Sequence, residues 1–206
     1  MEKAKAVLHV WFPGTEGGNA IADVLFGDQE PGGRLAMCFP YTVGQVPVYY
    51  SELHTGRRRP EGEITPRGVS GYLDAPNHPL YAFGYGLTYT SFAYSEVSLS
   101  SEIMTREENL TAKIMVQNTG NRAGTEVVQL YIRDVAGSVA RPVRELKGFQ
   151  RIAMQPGESR EVTFEITEEM LRFYNIDMEY VAEPGRFEVY IGGSSDAEQK
   201  AEFRLV

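Results

Sequence analysis

Strict two-residue alternation of apolar and polar side chains over the second half of the chain most limits what it can fold into. Leu110, Ala112, Ile114 and Val116 alternate with Thr111, Lys113, Met115 and Gln117. Val128, Leu130 and Ile132 alternate with Gln129, Tyr131 and Arg133, and Val162, Phe164 and Ile166 with Glu161, Thr163 and Glu165. Phe187, Val189 and Ile191 repeat the pattern, and Ala201, Phe203 and Leu205 close it. A period of two sends alternate side chains to opposite faces of a strand. Each run therefore predicts a half-buried antiparallel strand.

Turn residues punctuate these runs at Asn118-Thr119-Gly120-Asn121, Gln155-Pro156-Gly157-Glu158, Glu183-Pro184-Gly185 and Gly192-Gly193-Ser194-Ser195. Seven or so short strands over residues 93–206 predict a β-sandwich of the immunoglobulin or fibronectin type III kind. The fold class is mainly β, with a partial α/β segment in front.

That segment covers residues 1–40. The apolar run Ala6 to Phe12 reads as a buried strand, and Pro13-Gly14 as a turn. Thr15 is placed to cap a helix that sets Ala20, Ile21, Val24 and Leu25 on one side and stops at Gly27. After Pro31-Gly32-Gly33, Leu35 to Phe39 reads as a second strand. Strands apolar on both faces belong to a covered parallel sheet. Two strands and a helix cannot cover one, so the layer is expected to continue in residues outside this chain. Residues 41–92 form a third part. Between Gly44 and Phe92 there are seven glycines and five prolines, yet also Tyr49, Tyr50, Tyr72, Tyr81, Phe83, Tyr85 and Tyr89. Rings that large offset the cost of ordering a loop by burial, which predicts a long irregular connection packed on its neighbours. Its polar middle, Thr55 to Ser70, reads as a mobile tip.

A net charge of −8 argues against a nucleic-acid partner, which needs a basic face. No apolar stretch approaches the roughly 20 residues of a membrane span. The N-terminal run is too short, and lacks the small-residue cleavage site, for a secretory signal. The compartment stays open between periplasmic or secreted and cytoplasmic. The single cysteine, Cys38, lies in an apolar run and reads as a buried inert thiol.

Candidate chemistry is sparse. His9, His54 and His78 stand apart from one another, with no Cys, Asp or Glu at metal-ligand spacing, so no metal is expected. The glycines of Pro13-Gly14-Thr15-Glu16-Gly17-Gly18 match neither nucleotide-binding fingerprint, and no cofactor is implied. The same turn sets Trp11 and Glu16 at the carboxyl end of a strand, where ligands of open α/β sheets lie. An aromatic platform and a carboxylate suit a sugar, which makes Trp11 and Glu16 the candidate substrate-proximal pair. Packing, with Glu16 favoured by the helix dipole, explains the same two residues. Arg57-Arg58-Arg59 reads as a solvated loop and Asn109-Leu110-Thr111 as a chance sequon. The carboxylates Glu161, Glu165, Glu168 and Glu169 read as a solvated face, with no acid and nucleophile pair among them.

The run Trp11-Phe12-Pro13-Gly14-Thr15-Glu16-Gly17-Gly18-Asn19-Ala20-Ile21-Ala22-Asp23-Val24-Leu25-Phe26-Gly27-Asp28 resembles glycoside hydrolase family 3, in particular its bacterial periplasmic-type β-glucosidases. The likeness continues through Pro31-Gly32-Gly33-Arg34-Leu35, Val43-Gly44-Gln45-Val46-Pro47-Val48-Tyr49-Tyr50 and Leu80-Tyr81-Ala82-Phe83-Gly84-Tyr85-Gly86-Leu87-Thr88-Tyr89. In the second half, Val116-Gln117-Asn118-Thr119-Gly120, Arg141-Pro142-Val143 and Glu145-Leu146-Lys147-Gly148-Phe149 are similar to the family's fibronectin type III-like domain.

The resemblance implies a retaining glycosidase with an aspartate nucleophile and a glutamate acid/base. It also places both outside this chain. The nucleophile motif around Ser-Asp-Trp does not occur here, and the acid/base lies upstream of the first strand. No catalytic residue transfers, and the chain alone is expected to be inactive. It reads as the end of the α/β domain (1–40), a connection (41–92) and a bracing fibronectin-like domain (93–206). Its implied partners are a β-glucoside or oligosaccharide, the missing barrel and the rest of the α/β domain. An exposed sheet edge is expected to promote self-association. The competing reading is a stand-alone, non-catalytic module that binds carbohydrate or protein.

Overall fold

A computed structural model describes residues 4–54, 57, 70–72 and 74–206. The chain divides into two compact units, Met1–Pro31 and Gly32–Val206.

In the first unit, helix α1 spans Gly17–Phe26. Glu16, rather than Thr15, stands at its N-cap, one residue later than the sequence suggests. Gly27 ends the helix as expected, with φ at 87°, a left-handed cap that suits a residue without Cβ. Its N–H and that of Asp28 both donate to the Asp23 carbonyl.

The buried strand expected over residues 6–12 does not form. Val7 is 61% exposed and Phe12 fully so. A strand exists through its ladder to a neighbour, and no described strand pairs with this run. Residues 1–40 accordingly offer no sheet edge for self-association among the described residues. They offer apolar side chains instead.

The second expected strand, Leu35 to Phe39, is corrected too. Only Phe39 forms an isolated bridge, to Tyr81. The segment nevertheless finds partners in the connection. The Leu35 N–H donates to Tyr85 O at 2.9 Å, Gly84 N–H to Leu35 O at 2.7 Å and Phe39 N–H to Tyr81 O at 2.8 Å.

The second unit contains the predicted sandwich. Its first sheet is built on β4 (Leu110–Asn118). β7 (Ser159–Ile166) runs along one edge, and β1 (Phe92–Tyr94) and β2 (Ser98–Leu99) follow each other along the other. The second sheet has the order β3 (Ile103–Met104), β11 (Lys200–Leu205), β10 (Gly185–Gly192), β5 (Gly124–Asp134), β6 (Glu145–Met154). All its pairings are antiparallel except β3 with β11. Between β7 and β10 lie α2 (Glu168–Leu171) and a small hairpin, β8 (Phe173–Tyr174) with β9 (Tyr180–Val181).

The alternating apolar residues meet between the sheets as expected. Ala112 and Val116 of β4, Leu130 of β5, Ile166 of β7 and Val189 of β10 are fully buried. The Phe187 and Phe203 rings stack at 5.3 Å. At the β4–β5 turn, Asn118 is a buried hub. Its Oδ1 accepts from Thr90 Oγ1 at 2.6 Å and Gly120 N–H at 3.1 Å, and its Nδ2 donates to Arg122 O at 2.7 Å.

The departure lies on the outer face of the second sheet. Alternation predicts Gln129 and Tyr131 of β5, and Glu188 and Tyr190 of β10, facing water. They are 3%, 0%, 6% and 8% exposed. The irregular connection covers Gln129 and Tyr131, while Arg144 lies over Tyr190 and Arg133 and Lys200 enclose Glu188. Tyr50 stacks on Phe83 at 4.3 Å and meets Tyr131 edge-on at 5.9 Å. Gln129 Nε2 donates to Gly84 O at 3.2 Å and Gly193 O at 2.6 Å, while its Oε1 accepts from Tyr131 Oη at 2.5 Å. Arg34 reaches Glu126 at 3.0 Å, with both side chains under 10% exposed.

Gly84 is where this cover comes closest. Its φ is +79°, and a Cβ there would lie 2.0 Å from Gln129 Oε1. Gly84→Ala therefore combines a left-handed backbone penalty with disruption of a buried amide, about 2–4 kcal/mol together. Gly157→Ala has a similar φ of +74° with nothing within 4 Å, so only the backbone penalty of about 1–2 kcal/mol remains. Urea unfolding of the two variants is expected to rank them in that order. Equal losses would show that the Gly84–Gln129 contact contributes nothing.

Candidate functional site

The turn between residues 11 and 17 positions the expected substrate-proximal pair. Trp11 is half exposed and sits at φ +50°. A bulky residue in the left-handed region is strained, by of order 1–3 kcal/mol, and such residues cluster at ligand sites. The His9 ring packs edge-on to the indole at 4.2 Å. Glu16 begins α1, exposed, with its carboxylate accepting from Asn19 Nδ2 at 2.7 Å. An aromatic face and an oriented carboxylate thus stand on either side of one tight turn.

In the second unit, the connection and the outer face of the second sheet enclose a cleft of about 290 Å³. Tyr49, Tyr50, Glu52 and His54 line it from the connection, with Asn77 and His78. Arg133 and Tyr190 come from the sheet, and Arg144 and Asp196 from the loops beside it.

The floor is a charged network. Glu188 accepts from Arg133 at 3.0 Å, Tyr190 Oη at 2.6 Å and Lys200 at 3.4 Å. Burial pushes the Glu188 carboxyl up, but these three donors outweigh it and hold the carboxyl below its ordinary range. Burial, with the bond to Glu188, pushes the Tyr190 phenol up. The Arg144 guanidinium lies over the Tyr190 ring at 4.1 Å and donates to Ser195 O and, at 3.1 Å, to Ala197 O.

The connection itself is held by a residue that sequence reasoning passed over. Gln45, fully buried, donates from Nε2 to Pro76 O at 2.6 Å and to His78 O at 3.3 Å. Its Oε1 accepts the Tyr41 N–H at 2.5 Å. A glutamine at a 3₁₀ turn carries no periodic signal, so nothing in the pattern marks it.

The remaining candidates separate. His54 and His78 both line the cleft, and the His78 Nδ1–H donates to Pro79 O at 3.0 Å. Among the described residues no group of His, Cys, Asp and Glu could hold a metal ion. Cys38 is buried, and desolvation pushes its thiol up, away from the reactive thiolate. Arg58 and Arg59 lie outside the described residues, while Arg57 is exposed and its carbonyl accepts from Ser70 N–H at 2.7 Å. Asn109 donates to Glu165 at 2.8 Å and Lys113 to Glu161 at 2.8 Å, on the exposed side of the first sheet. Glu168 pairs with Arg172 at 2.7 Å. No described helix is long and apolar enough to cross a membrane.

Comparison with known proteins agrees with this architecture. Residues 1–89 match the glycosyl hydrolase family 3 C-terminal domain, and residues 126–195 a fibronectin type III-like domain. A periplasmic β-glucosidase of Salmonella typhimurium is 52% identical over the whole chain, which covers 27% of that protein. A β-xylosidase of Formosa agariphila is 41% identical over 96% of the chain, again 26% of its own length. Among solved structures, β-glucosidase from Listeria innocua in complex with glucose superposes with a TM-score of 0.92 at 45% identity. That superposition covers 99% of this chain and 28% of the other. Its D270A mutant in complex with laminaribiose gives 0.91 at 44%, covering 100% and 28%. The chain thus spans about a quarter of the length of the relatives it matches. It belongs to glycoside hydrolase family 3, as the C-terminal part of a β-glucosidase-like protein with a fibronectin type III-like domain.

Proposed function

We propose that this chain serves retaining hydrolysis of β-glucosides as the supporting part of a longer protein whose catalytic aspartate and glutamate lie outside it. The observation that carries the reading is the match over 100% of this chain to 27% of the Salmonella typhimurium periplasmic β-glucosidase. Identity of 52% to that β-glucosidase against 41% to the β-xylosidase favours a glucoside as substrate. In this reading residues 1–40 complete an α/β domain, 41–92 connect, and 93–206 brace the assembly. Retaining hydrolysis needs two carboxyl groups about 5–5.5 Å apart, and Glu126, Asp134, Glu161, Glu168 and Glu188 of the sandwich are engaged in ion pairs instead.

The isolated chain is therefore expected to give no turnover of an aryl β-glucoside above the buffer rate. The polypeptide extended by its upstream coding sequence is expected to turn over. Hydrolysis by the isolated chain that survives repurification would overturn the assignment.

Trp11 and Glu16 are the residues proposed to stand beside the sugar. The strained backbone of Trp11 supports this, since such a conformation persists only where its surroundings enforce it. In the extended protein, Trp11→Ala and Glu16→Gln are each expected to raise KM about tenfold with kcat little changed, the signature of lost uniform binding. An unchanged KM alongside a lowered Tm would assign both to packing alone.

Alone, the chain exposes Val7, Phe12, Leu25 and Phe26 on its first unit. We expect these apolar side chains, rather than a sheet edge, to drive self-association. Light scattering is expected to show a mass that rises with concentration, and Phe12→Ser to lower it. A constant monomer mass would exclude the idea.

A further inference from the structure

The cleft on the outer face of the second sheet has a composition that points to a ligand class. Its arginines, Arg133 and Arg144, are balanced by Glu52 and Asp196, so with neutral histidines the lining carries no net charge. Both guanidiniums are also committed within the protein. Arg133 is bonded to Glu188, and Arg144 to two carbonyls and the Tyr190 ring. An anion would meet the Glu52 and Asp196 carboxylates beside these committed guanidiniums, and a cation would meet the two arginines. A neutral molecule rich in hydroxyl groups can bond donors and acceptors of both signs without disturbing that balance.

Three further features narrow the class. Tyr49 lines the cleft with 65% of its surface exposed, an aromatic face left open beside polar groups. Such a face packs against the apolar C–H side of a sugar ring. The donation from His78 Nδ1–H to Pro79 O leaves Nε2 as the acceptor of the neutral ring, available to a hydroxyl. At about 290 Å³ the space lies at the small end of ligand pockets, suited to one ring and not to a chain.

We infer that this cleft binds a single neutral pyranoside, with Tyr49 as the stacking platform and Glu52, His78 and Asp196 as hydroxyl partners. The choice of a glucoside as the probe rests on the function proposed above. The preference for a neutral sugar over an anion does not. For a dozen heavy atoms the dissociation constant is expected to be on the order of millimolar.

The test is amide and indole NMR of the full 206-residue chain titrated separately with methyl β-D-glucopyranoside and with inorganic phosphate. The proposal expects saturable glucoside shifts at Tyr49, Tyr50, Glu52, Asn77, His78 and Asp196, with phosphate weaker by at least about tenfold. Tyr49→Ala is expected to weaken glucoside binding about tenfold with the spectrum of the sandwich unchanged. Glu52→Gln provides a second reading should Tyr49→Ala fold poorly, with a smaller loss in the same direction. No saturation at roughly ten times the expected constant would overturn the site, as would tighter phosphate binding or shifts confined to the Trp11 indole. None of these outcomes bears on hydrolysis by the extended protein, because the readout is binding and the chain tested contains no proposed catalytic carboxylate.

Discussion

The structure of the second unit turns on one side-chain amide. Gln129 projects from β5 away from the sandwich core, donates to the carbonyls of Gly84 and Gly193, and accepts from the Tyr131 hydroxyl. These bonds pin the irregular connection and the β10–β11 turn to one point of the second sheet. Without them the polar outer face of β5 would have to be hydrated. With them it becomes an interior, and a buried polar group is tolerable only when its bonds are made. The absence of a side chain at Gly84 is the steric condition for this arrangement, since any Cβ there would occupy the position of the amide oxygen.

From that contact the rest of the layer follows. Once the connection lies against the sheet, Tyr50 can stack on Phe83 and meet Tyr131, and Arg144 can cover Tyr190. Glu188 is then enclosed with Arg133, Lys200 and the Tyr190 hydroxyl. Charges in such a place add little net stability over an apolar filling, but breaking one partner strands the other. The layer therefore specifies a geometry more than it strengthens the fold. That is the property a bracing domain needs when its task is to hold a neighbouring segment in register.

Legibility in the sequence divided along the same line. β4 was readable because its outer face is solvated, so apolar and polar positions separate cleanly and the burial alternates residue by residue. β5 is equally legible as a strand, but only its inner face is predictable from the pattern. Gln129, Tyr131 and Arg133 look the same to a periodicity argument whether water or another segment lies over them. The signal that something covers them sat in the connection instead, in its tyrosines. Gln45 and Asn118 carry no pattern, because their importance comes from backbone groups distant in sequence. Nor does a residue's name reveal the φ of Trp11. The expected strand over residues 6–12 failed for a different reason. Its composition is that of a buried strand, but a strand is a pairwise object, and none of the described residues supplies the partner.

That failure also carries the functional reading forward. An apolar run from Ala6 to Phe12 left in water forfeits roughly 25 cal/mol for each Å² of apolar surface it could bury, and a Trp held at positive φ adds strain. No strand ladder among the described residues accounts for the run. Both features are explained if the run is a sheet strand of the longer protein and its end, at Trp11 and Glu16, faces a sugar. The same residues then serve two purposes, completing a sheet and presenting an aromatic face and a carboxylate where that sheet ends.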